Sequence, residues 1–308
     1  MPKYVALTGC AGFIGRVVTR DLLARGDYVY GVDALTYAAD PDAIRDLQRQ
    51  YPDRLSFVGR DVRQLERWPD VDAVIHLAAE THVDNSLSDG PRFVDVNVGG
   101  TCHVLEMTRA KKQHGMPHFI HISTDEVYGS VAEGAAGPSA PLHPTSPYAA
   151  SKAAADHLVM AWGLTYGLPC SIIRPTNCYG PNQHPEKLIP KTIRSKMLGR
   201  PMTVHGTGHQ TRQWLHVEDL ADAILMVLDQ RVTAPIINVS GNCEASVIDV
   251  VESIAFADGY EKGFERPAMD HRYAVDDSIL REAGWSPKGN FWVDLIGIVE
   301  QEKRKFRF

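Results

Sequence analysis

The segment Gly9-Cys10-Ala11-Gly12-Phe13-Ile14-Gly15 lies between the apolar run Tyr4-Val5-Ala6-Leu7-Thr8 and a helix-like stretch at 17–25. It constrains the fold more than any other feature. A short buried strand, a glycine turn and a helix make the first half of a βαβ unit, and the same rhythm continues. Strand-like runs recur at 28–33, 55–58, 71–77, 118–123 and 171–174, with long helical stretches at 93–114 and 148–166. Alternating strands and helices predict an α/β fold, a doubly wound parallel sheet with helices on both faces. After Pro175 the chain becomes rich in Pro, Gly and polar residues. A strand is expected again near 215–217, a helix at 218–228 and a strand at 236–239, with irregular chain and short helices beyond 241. The Gly-, Ala- and Pro-rich stretch 130–144 reads as a mobile surface loop near the site. No internal repeat is visible.

Three glycines between strand and helix let the backbone approach a pyrophosphate, and the helix N-terminus offers it free N–H groups and a positive dipole end. Gly9, Gly12, Phe13, Ile14 and Gly15 are therefore expected to hold a dinucleotide. Asp33 ends the second strand about twenty residues on, where a carboxylate binds ribose hydroxyls and repels a 2′-phosphate, favouring NAD over NADP. Asp61 and Val62 follow the third strand and suit the adenine edge. Leu77, Ala78 and Ala79 follow the fourth, small residues where a dinucleotide crosses the strand ends. The expected organisation is a Rossmann-type NAD-binding domain at 1–174, with 213–240 returning to it. A smaller C-terminal substrate-binding lobe at 175–308 is built mainly from 175–212 and 241–308.

Two runs carry chemistry. In Tyr148-Ala149-Ala150-Ser151-Lys152 a phenol and an ammonium share one helical face. A nearby cation is expected to lower the tyrosine pKa toward neutrality, which suits a base acting on a hydroxyl. Ser123-Thr124-Asp125-Glu126 adds a hydroxyl and two carboxyls, enough to remove one proton and donate another. An isolated Asp-Glu pair is more often a helix start favoured by the dipole. Between a strand end and the Tyr-Lys helix, the chemical reading is preferred.

These segments resemble the extended short-chain dehydrogenase/reductase family of nucleotide-sugar enzymes, and within it the 4,6-dehydratases. So do Val32-Asp33-Ala34-Leu35-Thr36-Tyr37-Ala38, His76 to Asp84, Pro185-Glu186-Lys187-Leu188-Ile189-Pro190 and the run from Arg266 to Tyr273. The resemblance implies oxidation at C4 of a nucleotide-diphosphate hexose, loss of water across C5–C6 and reduction at C6, with NAD regenerated. It implies Tyr148 as base at the 4-hydroxyl and Lys152 holding its pKa down and binding the nicotinamide ribose. Thr124 is implied at the 4-oxygen, Glu126 as base at C5, and protonated Asp125 as acid toward the 6-hydroxyl. Thr81, His82, Asn177, Lys187, Leu188, Arg212, Asn238, Arg266 and Tyr273 are implied as substrate-binding, and a homodimer as the assembly. Cys178, Met269 and Ala34 depart from the residues usual in the family, at Asn, His and Lys positions respectively. The rival reading is an NAD-dependent 4-epimerase, which needs Thr124, Tyr148 and Lys152 but no acid–base pair. A catalytically silent NAD-binding scaffold usually lacks the Tyr or the Lys.

A formal net charge of −6 argues against nucleic acid as a partner. Cys10, Cys102, Cys170, Cys178 and Cys243 are odd in number and scattered, without zinc-ligand spacing, so neither a disulfide framework nor a metal is expected. His121, alternating with Ile120 and Ile122, reads as packed or surface histidine. The basic stretch 301–308 reads as a solvated helix end. No signal-peptide pattern and no membrane-spanning apolar run is visible, so the expected location is the cytoplasm.

Overall fold

The structure is a computed structural model that describes residues 1–111, 115–255, 260–263 and 269–305. In chain order the first half contains β1 (Tyr4–Thr8), α1 (Phe13–Ala24), β2 (Tyr28–Asp33), α2 (Pro41–Gln50), β3 (Leu55–Gly59), β4 (Ala73–His76), α3 (Val83–Ser88) and α4 (Gly90–Phe93). It continues with α5 (Gly100–Arg109), β5 (His118–Ile122), α6 (Pro147–Tyr166) and β6 (Cys170–Pro175). The second half contains β7 (Asn177–Tyr179), α7 (Leu188–Met197), β8 (Met202–His205), β9 (Thr211–His216), α8 (Val217–Leu228) and β10 (Ile236–Val239). Then come β11 (Cys243–Ser246), α9 (Val247–Ala255), β12 (Tyr260–Gly263), α10 (Ser278–Glu282) and α11 (Phe291–Lys305).

Seven strands form one parallel sheet in the order β10-β6-β5-β4-β1-β2-β3. The strand order reverses between β1 and β4, and an open α/β sheet binds ligands in the crevice outside the strand ends at such a switch point. Thr8 closes that crevice: its Oγ accepts from the Leu77 and Ala78 amides at 3.2 and 3.1 Å. The central strands are buried on both faces, which explains their continuous rather than alternating apolar pattern. Separate small sheets, β11-β9-β7 and β12-β8, follow the large one.

Three expectations change. The helix expected over 93–114 is not uniform. It contains a π-helical stretch, Val94–Gly99, between α4 and α5, and 112–114 lie outside the described residues. The chain beyond 241 is more regular than expected, because α9 and the long α11 bury apolar faces against Tyr179 and Trp214. The stretch 130–144 is not a loose loop. Val131 and Ala136 donate to the carbonyls of Arg272 and Ala274, Asp276 donates back to Ala136, and Val131, Ala136 and Leu142 pack with Tyr128 and Val275.

Candidate active site

The glycine turn meets its backbone demands directly. Gly9 has φ +69°, a left-handed conformation, and a Cβ on Gly15 would lie 1.9 Å from the Gly9 carbonyl oxygen. Asp33 stands beside the turn, its carboxylate accepting from the Ala11 amide at 3.0 Å and the Leu35 amide at 2.8 Å. A cleft of about 870 Å³ opens above the strand ends, large enough for a dinucleotide. Gly9, Gly12, Phe13, Ile14, Gly15, Asp33, Asp61, Val62, Leu77, Ala78 and Ala79 all line it. So do Thr81, Thr124, Asp125, Glu126, Tyr148, Asn177 and Lys187. Buried Asp125 Oδ2, Thr176 Oγ and Asn177 Oδ1 lack protein partners along the same wall, so polar groups remain for a ligand to satisfy. The cradle, the carboxylate at the β2 end and these atoms fit NAD.

Thr124 ends the extended chain after β5 and caps a short 3₁₀ turn, Asp125–Tyr128, its Oγ accepting from the Glu126 amide at 3.3 Å. The helix-start role of Asp125 and Glu126 is thus real, and the same turn aims both at the cleft. Burial and the neighbouring Glu126 raise the Asp125 carboxyl to about 8, although Arg212 and Thr124 oppose the rise. Asp125 is therefore protonated at neutral pH.

α6 starts at Ser146, which caps the Ala149 amide at 3.1 Å, with Pro147 in its first turn. That start places Tyr148 in the cleft and Lys152 one turn behind it. The expected depression of the tyrosine pKa does not appear. Burial and the Glu126 charge raise it, and only a hydrogen bond with Thr124 opposes them among the main causes. The reason is where Lys152 points. Its Nζ is buried, donates to the Ile122 carbonyl at 2.7 Å, and does not line the cleft. Burial brings that ammonium down to about 8.

A second cavity of about 250 Å³ adjoins the first and shares Thr81, Glu126, Asn177 and Lys187 with it. His82, Leu188, Arg212 and Tyr273 line it, as does Met269. The Lys187 ammonium is anchored to the Thr81 carbonyl at 3.2 Å. The Arg212 guanidinium lies 4.2 Å over the Tyr273 ring and donates to the Asp270 carbonyl at 3.2 Å. Asn238 is not brought here. It is fully buried on β10, accepts from the Tyr128 hydroxyl at 2.8 Å and donates to the Ala136 carbonyl at 2.9 Å, which pins the 130–144 segment. Arg266 lies outside the described residues.

Several residues that shape the site escaped sequence reasoning. Asn97, in the π-helical stretch, donates to Ser151 Oγ at 2.9 Å and accepts from the Glu80 amide at 2.8 Å, tying the β4 exit to α6. A buried Asn inside a helical pattern, without capping duty, is the available signal. Glu80 and Arg92 pair at 2.6 Å on the cleft wall. Among the described residues no cluster of His, Cys, Asp and Glu could hold a metal, and no helix is long and apolar enough to cross a membrane.

Comparison with known proteins agrees with this geometry. Residues 5–240 match the model of the NAD dependent epimerase/dehydratase family. The dTDP-glucose 4,6-dehydratase of Haemophilus influenzae is 39% identical over 93% of this chain and 94% of its own. The structure of DesIV, a dTDP-glucose 4,6-dehydratase from Streptomyces venezuelae solved with NAD bound, superposes with a TM-score of 0.90 at 36% identity, covering 99% of this chain and 98% of that one. A UDP-glucuronic acid 4-epimerase from Bacillus cereus reaches a TM-score of 0.88 at 26% identity, covering 98% and 99%. The chain belongs to the NAD dependent epimerase/dehydratase family.

Proposed function

We propose that the protein is an NAD-dependent nucleotide-sugar 4,6-dehydratase that converts an NDP-hexose to the NDP-4-keto-6-deoxyhexose. One observation carries this reading. Asp125 and Glu126 face Tyr148 in a single cleft, and their environments set Asp125 apart as a carboxyl that is still protonated near neutral pH. An elimination of water needs a proton donor and a base side by side, and this pair offers both. A 4-epimerase needs no such pair, so the epimerase reading, which the Bacillus cereus neighbour favours, stays second.

When bound, NAD supplies the hydride acceptor for C4 and the donor for C6. The protein's own residues move protons. Tyr148 takes the proton of the 4-hydroxyl, with Thr124 bonded to the 4-oxygen. Burial and Glu126 hold the phenol in its protonated form here, and the role read for Lys152, one turn away on α6 with its ammonium on the Ile122 carbonyl, is to supply the cation that favours the phenolate once substrate and NAD fill the cleft. Glu126 removes the C5 proton once the 4-ketone has acidified it, and Asp125 or Glu126 returns a proton to C5 when C6 is reduced. Asp125 delivers its proton to the departing 6-hydroxyl. Thr81, His82, Asn177, Lys187, Leu188, Arg212 and Tyr273 bind the nucleotide sugar, with Arg212 and Lys187 opposite the diphosphate. Residues 175–212 and 241–308 form the sugar-nucleotide lobe. A cytoplasmic homodimer is the assembly this reading carries with it.

The test is incubation with dTDP-glucose, UDP-glucose and UDP-N-acetylglucosamine, each followed by mass spectrometry. Loss of the mass of one water from any of them, without net reduction of NAD, is the expected result. An unchanged mass with altered sugar configuration by NMR would move the assignment to the epimerase.

A further inference from the structure

Behind the reacting groups lies a buried set of charges that the chemistry above does not use. Asp156 is 0% exposed and Arg174 is 1% exposed, and the Arg174 Nε donates to Asp156 Oδ2 at 2.9 Å. Arg174 is itself fixed, donating to the Tyr128 hydroxyl at 2.7 Å and to the Pro138 carbonyl at 3.3 Å. The other carboxylate oxygen, Asp156 Oδ1, has no hydrogen-bond partner. It faces His121 Nε2 at 3.6 Å, and the Lys152 Nζ lies 3.5 Å from that same nitrogen. Asp156 and Lys152 are also four residues apart on α6, neighbours on one face.

His121 cannot supply charge here. It is completely buried, and burial together with Lys152, His76 and Arg174 drives its pKa far down, so it is neutral. Its Nδ1 has no partner. His76 on β4 is neutral as well, bonded to Thr8 Oγ at 2.7 Å and Thr101 Oγ at 3.1 Å. On the cleft side, Asp125 and Glu126 act on Tyr148. Asp156 is the group that raises the Lys152 pKa against burial. Burial also pushes Asp156 itself up, but Arg174 opposes that first. A permanently charged guanidinium with a neutral acid beside it would be a bare buried cation, so the pair is ionic.

We propose that Asp156 is a positioning residue that keeps Lys152 an ammonium one helical turn behind Tyr148, with Arg174 clamping one carboxylate oxygen and neutral His121 spacing the other from the lysine. The inference rests on the dehydratase reading only for its kinetic consequence. The charge of Lys152 is a property of the protein itself.

The experiment is NMR titration of the Lys152 side chain in the Asp156→Asn protein, assigned with Lys152→Met, alongside a pH profile of kcat. Loss of the facing anion should lower the Lys152 midpoint by roughly one to three units. The alkaline limb of kcat should follow it downward, leaving activity at the acid end within a few-fold of the parent, and Asp156→Glu should recover most of the shift. An unmoved Lys152 midpoint, or an equal loss of kcat at every pH, overturns the proposal. If Asp156→Asn does not fold because Arg174 is left bare, Asp156→Asn/Arg174→Gln removes both charges, and the same two outcomes decide. If no nucleotide hexose is turned over by the parent protein, the dehydratase reading fails while the titration still gives its answer.

Discussion

Two buried carboxyls flank the Tyr148–Lys152 helix turn, and they face partners of opposite charge. Asp125 on the cleft side faces another carboxyl, Glu126, and burial with that neighbour raises it to about 8. Asp156 on the sheet side is more deeply enclosed and burial raises it too, but Arg174 at hydrogen-bond distance opposes that rise, and the pair is inferred to be ionic. Burial alone does not set the charge of an acid. The partner at contact distance does. The front of the turn is organised for proton transfer, the back for holding a cation in place.

Changes on the front should strike activity hardest. Glu126→Gln removes the base proposed for C5 while preserving shape, and should cut dehydration by roughly 10²- to 10⁴-fold. In deuterium oxide the variant should leave C5 of recovered sugar unlabelled. Turnover close to the parent's would remove Glu126 from the base role and blur the contrast between the two faces.

Changes on the back should strike stability first. Arg174→Gln leaves Asp156 as an uncompensated buried anion, and should cost about 3–5 kcal/mol in denaturant unfolding. Asp156→Asn/Arg174→Gln should recover most of that loss, because a neutral pair can share hydrogen bonds. A cost below about 1 kcal/mol for the single variant would mean that water reaches the pair.

The two faces also differ in how much the sequence revealed. The glycine turn, Asp33 and the strand-end residues at 77–79 were readable because each follows a strand in a known rhythm, and the sheet order brings all strand ends to one crevice. Asp125, Glu126 and Tyr148 were readable from spacing and neighbours. The charge network was not. Asp156 and Arg174 lie on α6 and β6, eighteen residues apart in sequence, and only the packing of helix on sheet makes them partners. Asn238 was misplaced for the same reason, since an asparagine inside a short β-strand gives no sign that it bonds Tyr128. The direction of the Lys152 side chain was also hidden. Four-residue spacing puts it on the tyrosine's face, but the Ile122 carbonyl captures it.

The effect that depends on pH is the most diagnostic of the contrast. Asp125 titrates at about 8 when folded against 3.8 in the unfolded chain, so the folded state holds its proton longer. A raised folded pKa gives a contribution that is fully present below the unfolded value and is lost as pH rises through the folded one. Between about pH 4 and pH 8 Asp125 should therefore make the fold progressively less stable. Asp125→Asn removes the titrating group and keeps the shape. Its gain over the parent should be almost nothing near pH 4 and should grow steadily toward pH 8, even as dehydration falls. The comparable change on the other face, Asp156→Asn, should lose stability, since it unpairs Arg174 instead of relieving Glu126. Thermal unfolding of both variants across that pH range measures the difference. A gain for Asp125→Asn that is the same at every pH would show that the front carboxyl is already ionised when folded, and the acid role would have to move to another group.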